Sequence, residues 1–269
     1  MKLSIITVNL NNKDGLQRTA ESVVCQTFKD YEWIVIDGGS TDGSRELIEQ
    51  YADHISYWVS EPDKGIYNAM NKGIRRAKGE YCLFLNSGDY LIDQNVLSMV
   101  IQCDFDEDVV HGNVIFDFDD HQETRNTTES ITLRTFVERT INHSGCALIR
   151  RDAFDRWGFY DERLKIVSDW KWFLKTLGLG IATARYIDVT MSVFDCSGIS
   201  IAQDELLRSE REKVLNEEIP ERILSDYRVL SSFEDELYAQ ELKIRSSLPY
   251  RIGFFIMTPA RLVKKIIKK

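Results

Sequence analysis

Four short polar segments hold the groups with chemical potential in the first part of the chain. They are Asn9-Leu10-Asn11-Asn12, Asp37-Gly38-Gly39-Ser40-Thr41-Asp42, Glu61-Pro62-Asp63-Lys64-Gly65 and Asn86-Ser87-Gly88-Asp89. Carboxylates, amides, small residues and one lysine suit a divalent cation holding a nucleoside diphosphate, because a hard cation takes oxygen ligands and draws most of them from water and phosphate. Any one segment alone reads as a turn or a helix cap. A second set lies downstream, in Asn142-His143-Ser144-Gly145-Cys146 and Ser168-Asp169-Trp170-Lys171-Trp172.

The elements between these segments decide whether they meet. Leu3 to Val8, Tyr31 to Ile36, Ile55 to Ser60 and Glu80 to Leu85 have the length and apolar content of strands. Between them Leu16, Ala20, Val23 and Val24 mark one helix face, and helices are expected near 44–51 and 66–77. This alternation predicts an α/β fold with right-handed crossovers, a Rossmann-like, mostly parallel central sheet and helices on both faces. Ligands of such sheets bind beyond the carboxyl ends of the strands, where all four polar segments fall. Further on, a helix is expected near 94–102, strands at 109–116, 146–149 and 181–194, and helices at 152–157 and 168–177. The polar stretch 117–130 reads as a hairpin or mobile loop. From about Asp204 to Arg245 the pattern is charged and helical, with Glu210, Glu217, Glu218, Glu234 and Glu236 expected on solvated faces.

Missing motifs narrow the chemistry. A G-x-x-x-x-G-K-[ST] loop, a G-x-G-x-x-G turn after the first strand and a G-x-S-x-G elbow are all absent, which argues against a P-loop ATPase, a dinucleotide dehydrogenase and the common α/β hydrolase. The five cysteines are widely spaced with no C-x-x-C pair, so neither a disulfide framework nor a zinc site is expected. The 269 residues carry a net charge of −9, and an acidic body argues against nucleic-acid binding. No apolar run is long enough to span a bilayer and the N-terminus lacks a signal-peptide layout, so a cytoplasmic location is expected.

Taken together, these residues resemble the inverting family 2 glycosyltransferases with the GT-A fold. The resemblance runs from Leu3 to about Ser200. Ser4-Ile5-Ile6-Thr7-Val8-Asn9 resembles the opening strand, Val35-Ile36-Asp37-Gly38-Gly39-Ser40-Thr41-Asp42 the nucleoside-binding turn, and Asn86-Ser87-Gly88-Asp89 the D-x-D region. Glu61 to Gly73 looks like a subgroup that builds bacterial surface polysaccharides of the colanic-acid and O-antigen type. The resemblance implies a donor site at Val8, Asn9, Asp37, Gly38, Lys64, Asn68, Asn71, Asn86, Ser87 and Gly88. It also implies a cofactor, Mg²⁺ or Mn²⁺, at Asp89, and a general base at Asp169.

Two departures stand out. Gly38 occupies the place of a second acid, so Asp37 acts alone or Gly38 exposes its backbone to the base. Asn86 and Gly88 stand where Asp is common, which leaves Asp89 as the single carboxylate of its region. Lys64, just before a helix start, is placed for phosphate, although it also reads as a surface lysine. Ser168-Asp169 reads equally as a helix N-cap. His143 suits either the acceptor or a structural role. Trp170 and Trp172, two apart on a helix, cannot share a face, so one packs in the core and the other, taken as Trp170, offers an acceptor platform. Asp195 to Ser200 resembles a flexible loop that closes over the donor, hinged at Gly198.

The expected organisation is a GT-A domain over 1–203, divided into a nucleotide-sugar half (1–103) and an acceptor half (104–203), then a helical extension (204–248) and a basic amphipathic tail (249–269). No acid follows Glu241, while Lys243, Arg245, Arg251, Arg261, Lys264, Lys265, Lys268 and Lys269 do. Leu262, Val263, Ile266 and Ile267 form a stripe suited to an anionic membrane surface. The expected protein is a hexosyltransferase-type enzyme moving a sugar, from a UDP-sugar, to a lipid-linked saccharide on the inner face of the cell membrane. Alternatives are a sugar nucleotidyltransferase and an inactive nucleotide-sugar-binding protein.

Overall fold

A computed structural model describes residues 1–118, 120–125, 130–196 and 203–246. Contacts divide the chain into two units, Met1–Val214 and Leu215–Lys269. Strands β1 (Leu3–Asn9), β2 (Tyr31–Asp37), β3 (Tyr57–Ser60) and β4 (Tyr81–Phe84) alternate with helices α1 (Lys13–Val24), α2 (Ser44–Gln50) and α3 (Ile66–Arg76). β1 pairs in parallel with β2 on one side and β4 on the other, and β3 extends the sheet beyond β2. β1 is buried along its whole length, as a central strand covered on both faces must be. Leu3 and Ile5 join Leu16, Ala20, Trp33, Val35 and Leu47 in one core, while α3 packs on the opposite face, with Gly73 against Ile6.

Beyond β4 the sheet turns mixed. It continues through β5 (Tyr90–Leu91), β6 (Val109–Asp117), β7 (Gln122–Arg125), β8 (Ala147–Arg150) and β9 (Ala184–Asp195), with order β3-β2-β1-β4-β8-β6-β9-β5 and β7 on β6. β8 is antiparallel to β4 and β6, and β9 runs parallel to β6 but antiparallel to β5. The parallel pattern read from the first four strands therefore stops at β4. The described part of the polar 117–130 stretch is a hairpin, β6 with β7.

Helices α4 (Val96–Ile101), α5 (Leu133–Glu138), α6 (Arg151–Trp157) and α7 (Ser168–Phe173) flank this half. α5 and the two-residue β5 carry too little periodicity to be foreseen. The helix expected over 168–177 is α-helical only to Phe173. It widens to a π turn at Leu174–Gly178, where Thr176 Oγ1 donates back to the Trp172 carbonyl and Leu179 N reaches Leu174 O. The charged region forms α8 (Asp204–Glu218), whose residues up to Val214 belong to the first unit, and α9 (Glu221–Ser246). No described helix is long and apolar enough to cross a membrane.

At the edge of the sheet opposite the polar loops, Glu32 and Ser4 close the chain between α3 and β4. Ser4 Oγ donates to Glu32 Oε1 at 2.6 Å, and Gly79 N lies 2.9 Å from Ser4 Oγ. A Cβ on Gly79 would stand 2.5 Å from the Leu3 carbonyl carbon and 2.6 Å from Ser4 N. Backbone atoms in a buried central strand have little room to yield, so Gly79→Ala is expected to destabilise the protein by about 1–3 kcal/mol. A lower urea midpoint would register it; an unchanged midpoint would contradict the close approach.

Candidate active site

The carboxyl ends of β1 and β2 meet through Asn9 and Asp37. Asn9 Nδ2 donates to Asp37 Oδ1 at 2.7 Å. Ser40 Oγ donates to the same oxygen at 2.5 Å, while Ser40 N (2.9 Å), Gly39 N (3.2 Å) and Ser60 Oγ (2.6 Å) reach Oδ2. Burial pushes the Asp37 carboxyl up, but the bonds from Ser40, Ser60 and Asn9 outweigh it and hold the group below its usual range. Asp37 is fully buried and its oxygens are spent on the turn itself. The exposed rim is the turn that Asp37 holds. Gly38 meets the Asp63 carboxylate, since a Cβ there would stand 2.7 Å from Asp63 Oδ2, and Gly39 (φ +84°) lies against Pro62. Asn9 Oδ1 is buried in this corner without a partner.

Asp63 Oδ1 accepts from Gly65 N at 2.8 Å, which shapes the open N-terminus of α3, and Lys64 is exposed beside it. The β4 loop joins the same edge. Ser87 N donates to Val8 O at 3.1 Å and Asn12 Nδ2 to Ser87 O at 3.0 Å. Val8 thus contributes its carbonyl to the junction while its side chain is buried. Gly88 (φ +107°) donates to Thr19 Oγ1 at 3.1 Å, and a Cβ on it would stand 3.1 Å from Asp195 Oδ2.

Asp89 departs from its expected role. It is 4 % exposed and accepts from the Ser144 hydroxyl and from Asp195 N (2.9 Å). Burial is the main cause that pushes its carboxyl up to about 7, with the hydrogen bonds from Ser144 and Asp195 N opposing it and the charge of Asp195 adding to it. A carboxyl turned inward, with both oxygens engaged, does not fit a direct metal ligand. The carboxylate at the mouth is Asp195, paired with Arg18 at 2.7 Å. Among the described residues no three His, Cys, Asp or Glu side chains cluster around a common point. A cation here would therefore depend on Asp195 plus substrate oxygens.

On the acceptor side, Asp169 sits in the first turn of α7 with its carboxylate 27 % exposed. The Tyr67 hydroxyl lies 2.7 Å from Asp169 Oδ1 and 2.5 Å from Ile166 O. Burial, with the charge of Asp169, raises Tyr67 well above its ordinary value, so it remains a neutral donor. His143 Nδ1 lies 3.9 Å from Asp169 Oδ2, and its Nε2 shares a 2.7 Å hydrogen bond with the Tyr160 hydroxyl. Burial lowers His143 while Asp169 pulls it the other way. At 6 % exposure, with its ring tilted over Phe84 at 4.6 Å between centroids, His143 lies buried beneath Asp169, which corrects the expectation that it faces an acceptor.

Three further assignments change. The side chains of Asn68 and Asn71 are engaged within the protein: each donates to Glu162 at 2.8 Å, Asn68 Oδ1 accepts from Lys64 N at 3.3 Å, and Asn71 also bonds the Tyr160 backbone at 2.9 and 3.1 Å. They tie α3 to the segment leading into α7. Hydrogen bonds from Asn71, opposed by burial and joined by Asn68, Arg75 and Lys64, hold Glu162 below its usual range. Trp170 is 3 % exposed with its indole N–H on Phe136 O at 2.8 Å, so it is core and not a sugar platform; Trp172 is buried likewise on Gly158 O. Of the loop expected over Asp195–Ser200, residues 197–200 with the Gly198 hinge lie outside the described residues.

Tyr67, Ser144 and Glu210 were missed. Tyr67, inside the Glu61–Gly73 segment, and Ser144, inside the segment 142–146, were given no role of their own; Glu210, assigned to a solvated face, is 9 % exposed. The structure does bring together the ends of β1 to β4 and Asp169, through Asn12–Ser87, Gly38–Asp63, Asn86–Ser144 and Tyr67–Asp169.

Polar loops on one edge of a half-parallel, half-mixed sheet define a GT-A fold, and solved structures share it. The chain superposes on Staphylococcus aureus TarS 1-349 in complex with UDP-GlcNAc (TM-score 0.64, 20% identity, 82% of this chain and 69% of that one). It also superposes on the mannosyltransferase PcManGT from Pyrobaculum calidifontis in complex with GDP-Man and Mn²⁺ (TM-score 0.58, 14% identity, 100% and 88%). The glycosyl transferase family 2 model matches residues 4–158, more than half of the chain, which belongs to that family. Among relatives, an uncharacterized glycosyltransferase of Mycobacterium tuberculosis is 42% identical over 101 residues, 37% of this chain and 38% of that protein. A PGL/p-HBAD biosynthesis glycosyltransferase of Mycobacterium bovis is 28% identical over 209 residues, 71% and 76%.

Asp89 gives the site a pH signature. Its unfolded carboxyl ionises near 3.8 and its folded one near 7, so between these values the native chain keeps a proton that the unfolded chain has released. The associated stability is complete below 3.8 and is lost as pH rises through 7. In urea unfolding with EDTA present, Asp89→Asn is expected to show a smaller fall in midpoint than wild type from pH 5 to 8, and equal falls would reject the assignment.

Proposed function

We propose that the chain is an inverting glycosyltransferase of the hexosyltransferase type (EC 2.4) that takes a UDP-sugar donor. The observation that carries this reading is the Asp169 carboxylate, partly exposed and held by the Tyr67 hydroxyl, on the edge where the β1 to β4 loops interlock. An inverting transfer is one in-line displacement. Asp169 accepts the proton of the acceptor hydroxyl, that oxygen bonds to the anomeric carbon, and the bond to the nucleoside diphosphate breaks on the opposite side.

Here the Asp37 turn and the Asp63 carboxylate receive the nucleoside, with Asn9 Oδ1 as an unused acceptor in that corner. Asn86, Ser87 and Gly88 border the sugar and phosphates. Lys64 and the N-terminus of α3 offset the charge of the departing diphosphate. Asp195 would hold a Mg²⁺ or Mn²⁺ ion, which when bound neutralises the diphosphate. The UDP-GlcNAc of the TarS structure supports the donor class.

The acceptor we infer is a lipid-linked saccharide of surface polysaccharide synthesis. Its support is the sequence of residues 249–269, basic, acid-free and striped with Leu262, Val263, Ile266 and Ile267, which suits peripheral attachment to the inner face of the cell membrane. Those residues lie outside the described ones.

Asp169→Asn is expected to leave UDP-GlcNAc binding by calorimetry nearly intact while UDP release, with water as acceptor, falls by about 10²–10⁴. Retained turnover would reject Asp169 as the base. Deleting residues 249–269 is expected to abolish sedimentation with vesicles containing anionic phospholipid, and undiminished binding would discard the membrane role of the tail.

A further inference from the structure

The segment that delivers Asp169 is gripped from outside the family-matched region. Between Asp161 and Asp169 the chain is irregular, and its central peptide at Ile166 is held on both sides. Its carbonyl faces the Tyr67 hydroxyl at 2.5 Å, the same hydroxyl that lies 2.7 Å from Asp169. Its amide donates to Glu210 Oε2 at 3.0 Å, and the neighbouring Lys165 amide to Glu210 Oε1 at 2.8 Å. Both oxygens of one buried carboxylate thus close on two consecutive amides. Bonds to a carboxylate are stronger than neutral ones, and among the described residues no other acceptor is seen for either amide.

Arg211 follows on the same helix. Its guanidinium lies 4.9 Å from the ring centroid of Trp170, the residue after Asp169, and its Nη2 donates to Arg139 O at 3.3 Å. α8 therefore touches the chain on both sides of the base.

We propose that Glu210 is a positioning residue for the transfer reaction, fixing the 165–166 peptide so that Tyr67 and Asp169 stay in register. This rests on Asp169 as base and extends the active centre into α8. Loss of the clamp leaves the donor-side loops untouched, because Glu210 bonds none of them. It frees the 165–167 backbone that leads into α7, and Asp169 then drifts from the line of attack, which lowers turnover without altering donor affinity.

The test uses the full chain, UDP-GlcNAc as donor and water as acceptor. Glu210→Ala is expected to lower kcat for UDP release at least tenfold with KM for UDP-GlcNAc unchanged. Glu210→Gln, whose amide oxygen can accept one of the two bonds, should recover part of that loss. In the Asp169→Asn background, Glu210→Ala should add less than about twofold, since the two act on one element. Hydrogen–deuterium exchange across residues 161–169 reads the clamp without substrate and should quicken in Glu210→Ala. Unchanged exchange, a rise in KM equal to the fall in kcat, or full additivity with Asp169→Asn would overturn the proposal. An inactive Asp169→Asn beside a fully active Glu210→Ala would overturn it alone, whereas an active Asp169→Asn would overturn the base assignment.

Discussion

A carboxylate removed from water has to find donors, and at this edge each such acid takes at least two of them from a distant part of the chain. Asp37 at the end of β2 draws on Asn9 from β1 and Ser60 from β3. Asp89 after β4 draws on Ser144 before β8 and on the amide of Asp195 at the end of β9. Glu162 draws on Asn68 and Asn71 from α3. Each acid joins loops that the sheet alone would only bring near one another. The crevice keeps its shape because any loop that moved away would leave one of these carboxyl groups short of hydrogen-bond partners.

The same requirement separates two kinds of acid at the crevice. Asp37, Asp89 and Glu210 are buried and saturated, so their work is geometric. Asp63, Asp169 and Asp195 keep partial access to solvent. The division follows exposure and hydrogen bonding, and residue type has no part in it. Asp89 is the clearest case: in the sequence it is the lone carboxylate of its region and invites a ligand's role, yet burial raises it to about 7 and two donors occupy its oxygens. Asp195 stands where the bare face of Gly88 admits it.

Tyr67 links the halves in another way. Its backbone belongs to α3, which starts beside the exposed Lys64, while its hydroxyl reaches the segment leading into α7 at Ile166 and Asp169. With Asn68 beside it and Asn71 one turn on, α3 is tied through three side chains to the segment leading into α7. Burial, with the charge of Asp169, keeps the phenol neutral, and its one proton is shared between the Ile166 carbonyl and Asp169.

Periodicity and turn chemistry made the first four strands, their crossover helices and the edge carrying the polar loops legible, because those features depend on residues close in sequence. Asp169 and the Glu61–Gly73 segment were legible as motifs for the same reason. The antiparallel entry of β8, the β5–β9 pairing and the burial of Asp89, Asn71, His143 and Trp170 were not. Local sequence determines which backbone conformations and which chemical groups are on offer. Whether a given oxygen faces a ligand or a buried amide is decided by which distant segment arrives first within hydrogen-bond reach, as Glu210 does at Ile166, and only the assembled tertiary structure settles that.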